Sequence, residues 1–167
     1  MTDATVAPAI TLRFMTREDV PDLYRFYLAD PLSLQIICVF GIDWMLKGVD
    51  DSTQWRFAIE QYGRLVGSCS LSWTQRETGI LSPSMLIDPG YQRLGVGTAA
   101  MKLLWQFALD EIGMFRKVRG CVYDFNDASN GMCRKFFGAP EATFQREVFH
   151  KGKWWPMHWY VKFREDA

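Results

Sequence analysis

Residues 92–97 form the segment whose residue types and spacing most clearly indicate chemistry. They read Gln-Arg-Leu-Gly-Val-Gly, follow the turn Asp88-Pro89-Gly90, and precede a run with the apolar spacing of a helix. The first backbone N–H groups of a helix lack intrahelical acceptors, and the helix dipole places partial positive charge at the same end. Gly95 and Gly97 carry no Cβ, so the main chain can approach an anion there. The segment therefore predicts a phosphate or pyrophosphate site.

Two other phosphate motifs compete for this segment. The chain contains no Walker A sequence, Gly followed by four residues and Gly-Lys-Ser/Thr. Residues 95–100 do fit the dinucleotide fingerprint with Ala in its last place, and Asp124 falls at the end of the next predicted strand. However, residues 88–94 separate the preceding strand from the first glycine, and too few parallel strands are expected to follow. Dinucleotide binding is kept as an alternative function.

The elements that position this segment can be predicted from apolar periodicity and turn residues. A first helix is predicted from the cap Thr16-x-x-Asp19 to Asp30, where Pro31 ends it. A second helix that ends near Lys47-Gly48 is expected in the apolar segment at residues 32–46, and further helices are expected at residues 97–112 and 129–137. The predicted strands lie at residues 10–14, 56–61, 65–73, 79–87, 118–123, 143–150 and 154–163.

Length and composition limit the number of domains and the kinds of partner that the protein can have. The chain has 167 residues, which fits one domain at residues 10–167 after a flexible N-terminus at residues 1–9. Nineteen basic and nineteen acidic side chains cancel, so nucleic acid is not an expected partner. No leader pattern or long apolar run is present, which predicts a cytoplasmic protein without a membrane segment. The four cysteines form no C-x-x-C pair, so no metal site is expected.

Residues 92–97, with Pro89 and a strand ahead of them, resemble the Q/R-x-x-G-x-G/A signature of GNAT acetyltransferases. The resemblance extends over most of the chain, and the hairpin at residues 147–160 is most similar to the branch of ribosomal-protein N-terminal, amino-sugar and polyamine acetyltransferases. It implies an α+β GNAT fold, in which a mixed, mostly antiparallel sheet is splayed between its fourth and fifth strands. It also implies an N-acetyltransferase that transfers acetyl from acetyl-CoA to a primary amine of a small molecule or a protein N-terminus.

The resemblance also implies which residues bind the acyl donor. Backbone groups of Met85, Leu86 and Ile87 would pair with the pantetheine arm, and one of their N–H groups would polarise the thioester carbonyl. The side chains of Asn126 and Ser129 would contact the donor, although Asn126 could equally cap the following helix. The residues implied around the pyrophosphate are Gln92, Arg93, Leu94, Gly95, Val96, Gly97 and Thr98.

The groups that transfer protons are less clearly indicated. Many members of the family have a Tyr seven positions after the Asn, and this chain has Cys133 there, which could donate a proton or simply pack. Glu77, Asp124 and His150 are candidate bases, as is a water molecule. A non-catalytic module that binds acyl-CoA therefore remains a second alternative. Apolar surface on the second helix or the last hairpin would be compatible with a homodimer.

Overall fold

The computed structural model of the protein describes residues 9–36 and 41–165, without the side chains of residues 34–36. One mixed seven-stranded sheet runs through this part of the chain in the order β1-β2-β3-β4-β5-β7-β6. Its strands are β1 (Ile10–Phe14), β2 (Gln54–Gln61), β3 (Arg64–Gln75), β4 (Ile80–Ile87), β5 (Lys117–Tyr123), β6 (Ala142–His150) and β7 (Lys153–Phe163). The helices are α1 (Val20–Ala29), α2 (Pro31–Ile36), α3 (Ile42–Val49), α4 (Val96–Phe107), with a π-helical extension Ala108–Ile112, and α5 (Asp127–Phe137).

All seven predicted strands are confirmed, and the α+β class with them. The helix α1 ends where Pro31 requires it, because Asp30 is already extended at φ −95° and ψ 104°. The helix expected in the apolar segment at residues 32–46 is present as α3, whereas the separate helix α2 before it was not predicted. Gly41, extended at φ −68° and ψ 163°, forms the N-cap of α3. Residues 37–40 and most of the predicted flexible N-terminus lie outside the described residues.

The sheet opens between β4 and β5, as the family resemblance implies. These parallel strands pair only at Ile80 with Lys117 and at Leu81 with Val118. The pairing of β4 with β3, by contrast, continues along the strand to Ile87. Pro83 has no N–H to donate, and a proline is tolerated within a strand where the missing donor faces away from the paired neighbour. Pro83 therefore helps to keep β4 and β5 apart, and backbone groups of β4 beyond Leu81 face the opening.

The two faces of the sheet are covered differently. On one face α4 packs on β2, β3 and β4 through Leu71, Leu81, Ala100 and Leu104, which are fully buried. On the other face α1 and α3 form a smaller cluster around Leu23. The capping residue Asp19 also pairs with Arg13 on β1 at 2.6 Å, which ties the start of α1 to the sheet. No helix within residues 9–36 and 41–165 is long and apolar enough to cross a membrane.

Candidate active site

Residues 92–97, called here the glycine segment, connect β4 to α4 in the backbone conformation that an anion site needs. The carboxylate of Asp88 accepts the N–H of Gly90 at 2.9 Å, which closes the turn after β4. Arg93 and Gly95 have positive φ angles of 62° and 84°. Ala99 donates the first helical hydrogen bond, to the carbonyl of Gly95 at 3.0 Å. The preceding N–H groups of α4 therefore have no helical acceptor and point out of its N-terminus.

Gly97 occupies a position where three elements converge. A Cβ added there would lie 3.1 Å from Sδ of Met132 on α5 and 3.2 Å from Sδ of Met85 on β4. Both distances are shorter than ordinary van der Waals contact, so a larger residue at position 97 would require the two methionine side chains to shift by a few tenths of an ångström. The helix N-terminus is thereby held at the mouth of the opening between β4 and β5.

An open cleft lies between the end of β4, the glycine segment and the start of α5. Arg93 and Lys135 contribute basic side chains to its wall, and Asp30 and Asp127 acidic ones. Ten of the twelve residues implied to bind the acyl donor line it: Met85, Leu86, Ile87, Gln92, Arg93, Gly95, Gly97, Thr98, Asn126 and Ser129. The side chain of Val96 is buried in the core instead, and Leu94 is exposed.

Asn126 caps α5 while it lines the cleft. Its side-chain oxygen accepts the N–H of Ser129 at 3.1 Å. The capping alternative is therefore confirmed, and contact of the Asn126 amide with the donor stays a prediction. Gln92 is fixed in a similar way, because its side-chain amide donates to the carbonyl of Ile87 at 3.2 Å.

Asn130 and Tyr160 form a buried hydrogen-bonded pair that the sequence did not indicate. The Asn130 amide donates to the carbonyls of Tyr123, Asp124 and Asn126 at 2.9, 3.3 and 3.0 Å. Its oxygen accepts the hydroxyl of Tyr160 at 2.9 Å. The pair fixes the turn from β5 into α5, where the cleft is built. A usable signal was present, because an Asn on the apolar side of a helix needs internal partners.

Cys133 and Glu77 occupy positions that suit proton transfer poorly. Cys133 is 5% exposed and does not line the cleft, and burial raises the pKa of its thiol to about 12. Since an ordinary thiol has a pKa of about 8.5, proton donation from Cys133 to a departing thiolate would be uphill. Glu77 is exposed in the turn before β4, at the end of that strand opposite the glycine segment.

Asp124 directly follows β5, at the open end of the splay. Its carboxylate contacts Nε2 of His158 at 2.8 Å, and Nδ1 of the same ring contacts the hydroxyl of Thr143 at 2.9 Å. His150 stacks on Phe125 instead, with ring centroids 4.4 Å apart. The structure thus joins Asp124 to a histidine that sequence reasoning missed. No group of three His, Cys, Asp or Glu side chains that could hold a metal ion occurs within residues 9–36 and 41–165.

A second, smaller cavity lies on the face of the sheet that carries α1 and α3. It shares Met85 and Leu86 with the cleft. Arg56, Ser70 and Ser84 contribute polar side chains to it, and Trp44 and Tyr27 contribute rings. Sequence reasoning missed this cavity, because its residues come from separate segments of the chain between Met15 and Leu86.

The fold and the cleft together define an acyltransferase of the GNAT type. The family model for the acetyltransferase (GNAT) family matches residues 18–139, and the chain belongs to this family. No curated protein is significantly similar to it in sequence.

Solved structures with the same fold include enzymes of the branches that the sequence indicated. A chimera of the spermidine N-acetyltransferase SpeG from Vibrio cholerae and hSSAT is 16% identical, with a TM-score of 0.78 over 92% of this chain and 95% of that chain. An acetyltransferase from Salmonella typhimurium that modifies the N-terminal serine of ribosomal protein L7/L12 is 17% identical, with a TM-score of 0.77 over 96% and 98%. A protein described as a putative phosphinothricin N-acetyltransferase is 15% identical, with a TM-score of 0.77 over 93% and 98%.

Proposed function

We propose that the protein is an N-acetyltransferase that transfers the acetyl group of acetyl-CoA to a primary amine. The observation that carries the proposal is the cleft, in which a strand with unpaired backbone groups meets the N-terminus of α4. An extended thioester arm needs backbone partners along its length, and a pyrophosphate needs convergent N–H groups. The chain offers both at adjacent positions.

In this proposal the glycine segment binds the pyrophosphate through the N–H groups of residues 93–98. The arm of the donor pairs with the free edge of β4 at Met85, Leu86 and Ile87. One N–H group of that edge donates to the thioester carbonyl, which stabilises the negative charge that develops on its oxygen. The Met85 and Met132 side chains keep the edge and the helix N-terminus in fixed relation.

The amine nitrogen attacks the thioester carbon directly, the C–S bond breaks, and an N-acetyl product and a thiol leave. The nitrogen loses one proton and the thiolate gains one. We propose Asp124, held by His158, as the acceptor of the amine proton, through a water molecule where the amine does not reach it. Orientation of two reactants alone can be worth ~7–11 kcal/mol, so the missing Tyr at Cys133 is compatible with turnover.

The dinucleotide alternative is disfavoured by the sheet, in which β4 and β5 form the single parallel pair among the described strands. The non-catalytic alternative differs from the main proposal only in turnover. A cytoplasmic location and a homodimer stay predictions from sequence.

The test is release of free thiol from acetyl-CoA by the purified protein with a panel of primary amines. We expect thiol release that depends on the amine and an N-acetyl product detected by mass spectrometry. Asp124→Asn should lower kcat/KM by about 10²-fold, the usual size of a general-base contribution, without changing the affinity for acetyl-CoA. Binding of acetyl-CoA without amine-dependent thiol release would instead support the non-catalytic alternative.

A further inference from the structure

A row of polar side chains crosses three strands on the floor of the second cavity. Arg56 on β2 lies opposite Ser70 on β3, and Ser70 lies opposite Ser84 on β4. Directly opposed residues in antiparallel strands point to the same face, so all three side chains face α1 and α3. Ser68, two residues before Ser70, faces the same cavity. The row extends from Arg56 on β2 to Ser84 on β4, the strand whose free edge faces the cleft.

Arg56 is held in place without an anionic partner. Its Cζ lies 5.3 Å from the ring centre of Trp44, and a Cβ on Gly48 would lie 2.7 Å from the same atom. The guanidinium thus occupies the space that glycine leaves in α3. Its Nε is buried and has no hydrogen-bond partner, and no described carboxylate lies within 4.0 Å of the group.

Asp51, the acidic group that acts on Arg56, is already engaged by other side chains. Asp51 accepts hydrogen bonds from the Thr53 hydroxyl and the Gln54 amide, both at 2.6 Å. Burial lowers the pKa of Arg56, and Asp51 offsets this only in part. The positive charge of Arg56 is thus buried with only partial compensation by negative charge. An anion that enters the cavity would stabilise such an arginine.

We infer that this cavity binds the acceptor and that Arg56 holds an anionic group on it. The substrate class is a small primary amine that carries a carboxylate or a similar oxyanion. A guanidinium can bind such a group through two parallel hydrogen bonds. The serine hydroxyls then face the middle of the bound substrate, and the substrate's amine points past Ser84 to the edge of β4. This inference rests on the proposed acetyl transfer.

The same cavity is unsuited to a polyamine. Arg56 is its one charged side chain among the described residues, and no Asp or Glu from those residues lines it. A polyamine would meet a like charge at Arg56 and would lose hydration without an ion pair in return.

The experiment compares matched pairs of amines that differ only in a carboxylate or a carboxamide. The panel contains α-amino acids, ω-amino acids, their amides, and spermidine. The readouts are thiol release from acetyl-CoA, and calorimetric binding of the same compounds to the protein with and without CoA. The variants are Arg56→Gln, Arg56→Lys and, as a matched control on an exposed turn, Arg76→Gln.

We expect at least one acid to exceed its amide by about tenfold or more in kcat/KM, which corresponds to ~1.4 kcal/mol. Arg56→Gln should bring the ratio of kcat/KM for the acid to that for its amide down to about one. Arg56→Lys should keep part of the preference, and Arg76→Gln should keep all of it. Unaltered acetyl-CoA binding shows that each variant is folded. If Arg56→Gln does not fold, the ratio of kcat/KM for the acid to that for its amide is compared between wild type and Arg56→Lys. A lower ratio in Arg56→Lys supports the inference, and an equal ratio contradicts it.

Three results with the wild-type protein would overturn the inference. It could acetylate acids and amides equally well, it could prefer spermidine, or it could neither acetylate nor bind any of the acids. If thiol is released with amines regardless of their charge, the acetyl transfer stands and only the substrate class fails. If acetyl-CoA is not bound and no amine gives thiol release, the proposed function itself fails.

Discussion

Gly120 on β5 and Pro83 on β4 face each other across the splay, where a Cβ on Gly120 would lie 3.5 Å from Cγ of Pro83. That distance is an ordinary van der Waals contact, so an alanine fits at this position. A longer side chain would have to displace the proline or enter the opening. At this position a single methyl group would fill the gap between the two strands.

Gly120→Leu is accordingly expected to obstruct the opening between β4 and β5. The dissociation constant for acetyl-CoA should rise by about tenfold or more, a loss of ~1.4 kcal/mol of binding free energy. Gly120→Ala is the matched control and should bind acetyl-CoA as wild type does. Calorimetric titration measures both variants. Equal affinity of Gly120→Leu and wild type would show that the donor does not enter beside Gly120.

Gly67 on β3 supports the other side of β4. A Cβ there would lie 2.4 Å from the carbonyl oxygen of Leu86, so the backbone of β4 would have to shift. We expect Gly67→Ala to lower the free energy of unfolding by ~1–3 kcal/mol, as overpacking usually does, and to weaken acetyl-CoA binding. In the control Gly90→Ala, the Cβ would meet only Asp88, at 3.5 Å. Chemical denaturation of both variants tests this, and a neutral Gly67→Ala would contradict the close approach.

Tyr160→Phe removes the hydroxyl that satisfies the oxygen of Asn130. Because Asn130 is 1% exposed, its oxygen would lose a partner that water cannot easily replace. The free energy of unfolding should fall by ~1–3 kcal/mol, the cost of an unsatisfied buried polar group. Tyr62→Phe, on a residue that is 87% exposed, is the control and should be nearly neutral. Equal stabilities of the two variants in urea would argue against the buried pair.

Asp19 links stability to pH. The hydrogen bond from Arg13 is the main cause that holds the pKa of the Asp19 carboxyl below its usual value in the folded protein. A carboxyl with a lowered folded-state pKa stabilises the fold above its unfolded pKa of ~3.9, and this contribution is lost as pH falls through the folded value. The difference in unfolding free energy between wild type and Asp19→Asn should thus be constant near neutral pH and shrink in acid.

The control for this pH series is Asp22→Asn. Asp22 and Arg25 are paired at 3.0 Å, but both side chains are more than half exposed. Such a surface pair contributes little to stability, so Asp22→Asn should remain close to wild type at every pH. A difference for Asp19→Asn that grows in acid would contradict the assigned role of Arg13.

The strands and the glycine segment could be predicted, because short stretches of sequence determine them. Strand-like runs bounded by turn residues indicated the strands, and the glycines and turn residues around positions 92–97 indicated the mouth of the cleft. The break between α2 and α3 was missed because the whole of residues 32–46 is rich in apolar side chains. The glycine at position 41 was a weaker signal than that continuous apolar run.

The features that were missed depend on strand register and on distant partners. Arg56 reads as one ordinary charged residue in a strand, and only its register with Ser70 and Ser84 places it on a cavity wall. Asn130 and Tyr160 are separated by 30 positions in the sequence. Sequence spacing carries no information about such contacts, because the sheet order β5-β7 creates them.

The most direct test of the central claim is a calorimetric titration of the protein with acetyl-CoA, with NAD as the competing ligand class. Gly95→Glu combined with Gly97→Glu places two carboxylates where the pyrophosphate is expected to bind, and Leu103→Glu adds a charge to an exposed position of the same helix as a control. We predict that wild type and Leu103→Glu bind acetyl-CoA, that the double variant does not while remaining folded by circular dichroism, and that NAD is not bound. Absence of acetyl-CoA binding by wild type, a preference for NAD, or undiminished binding by the double variant would contradict the account.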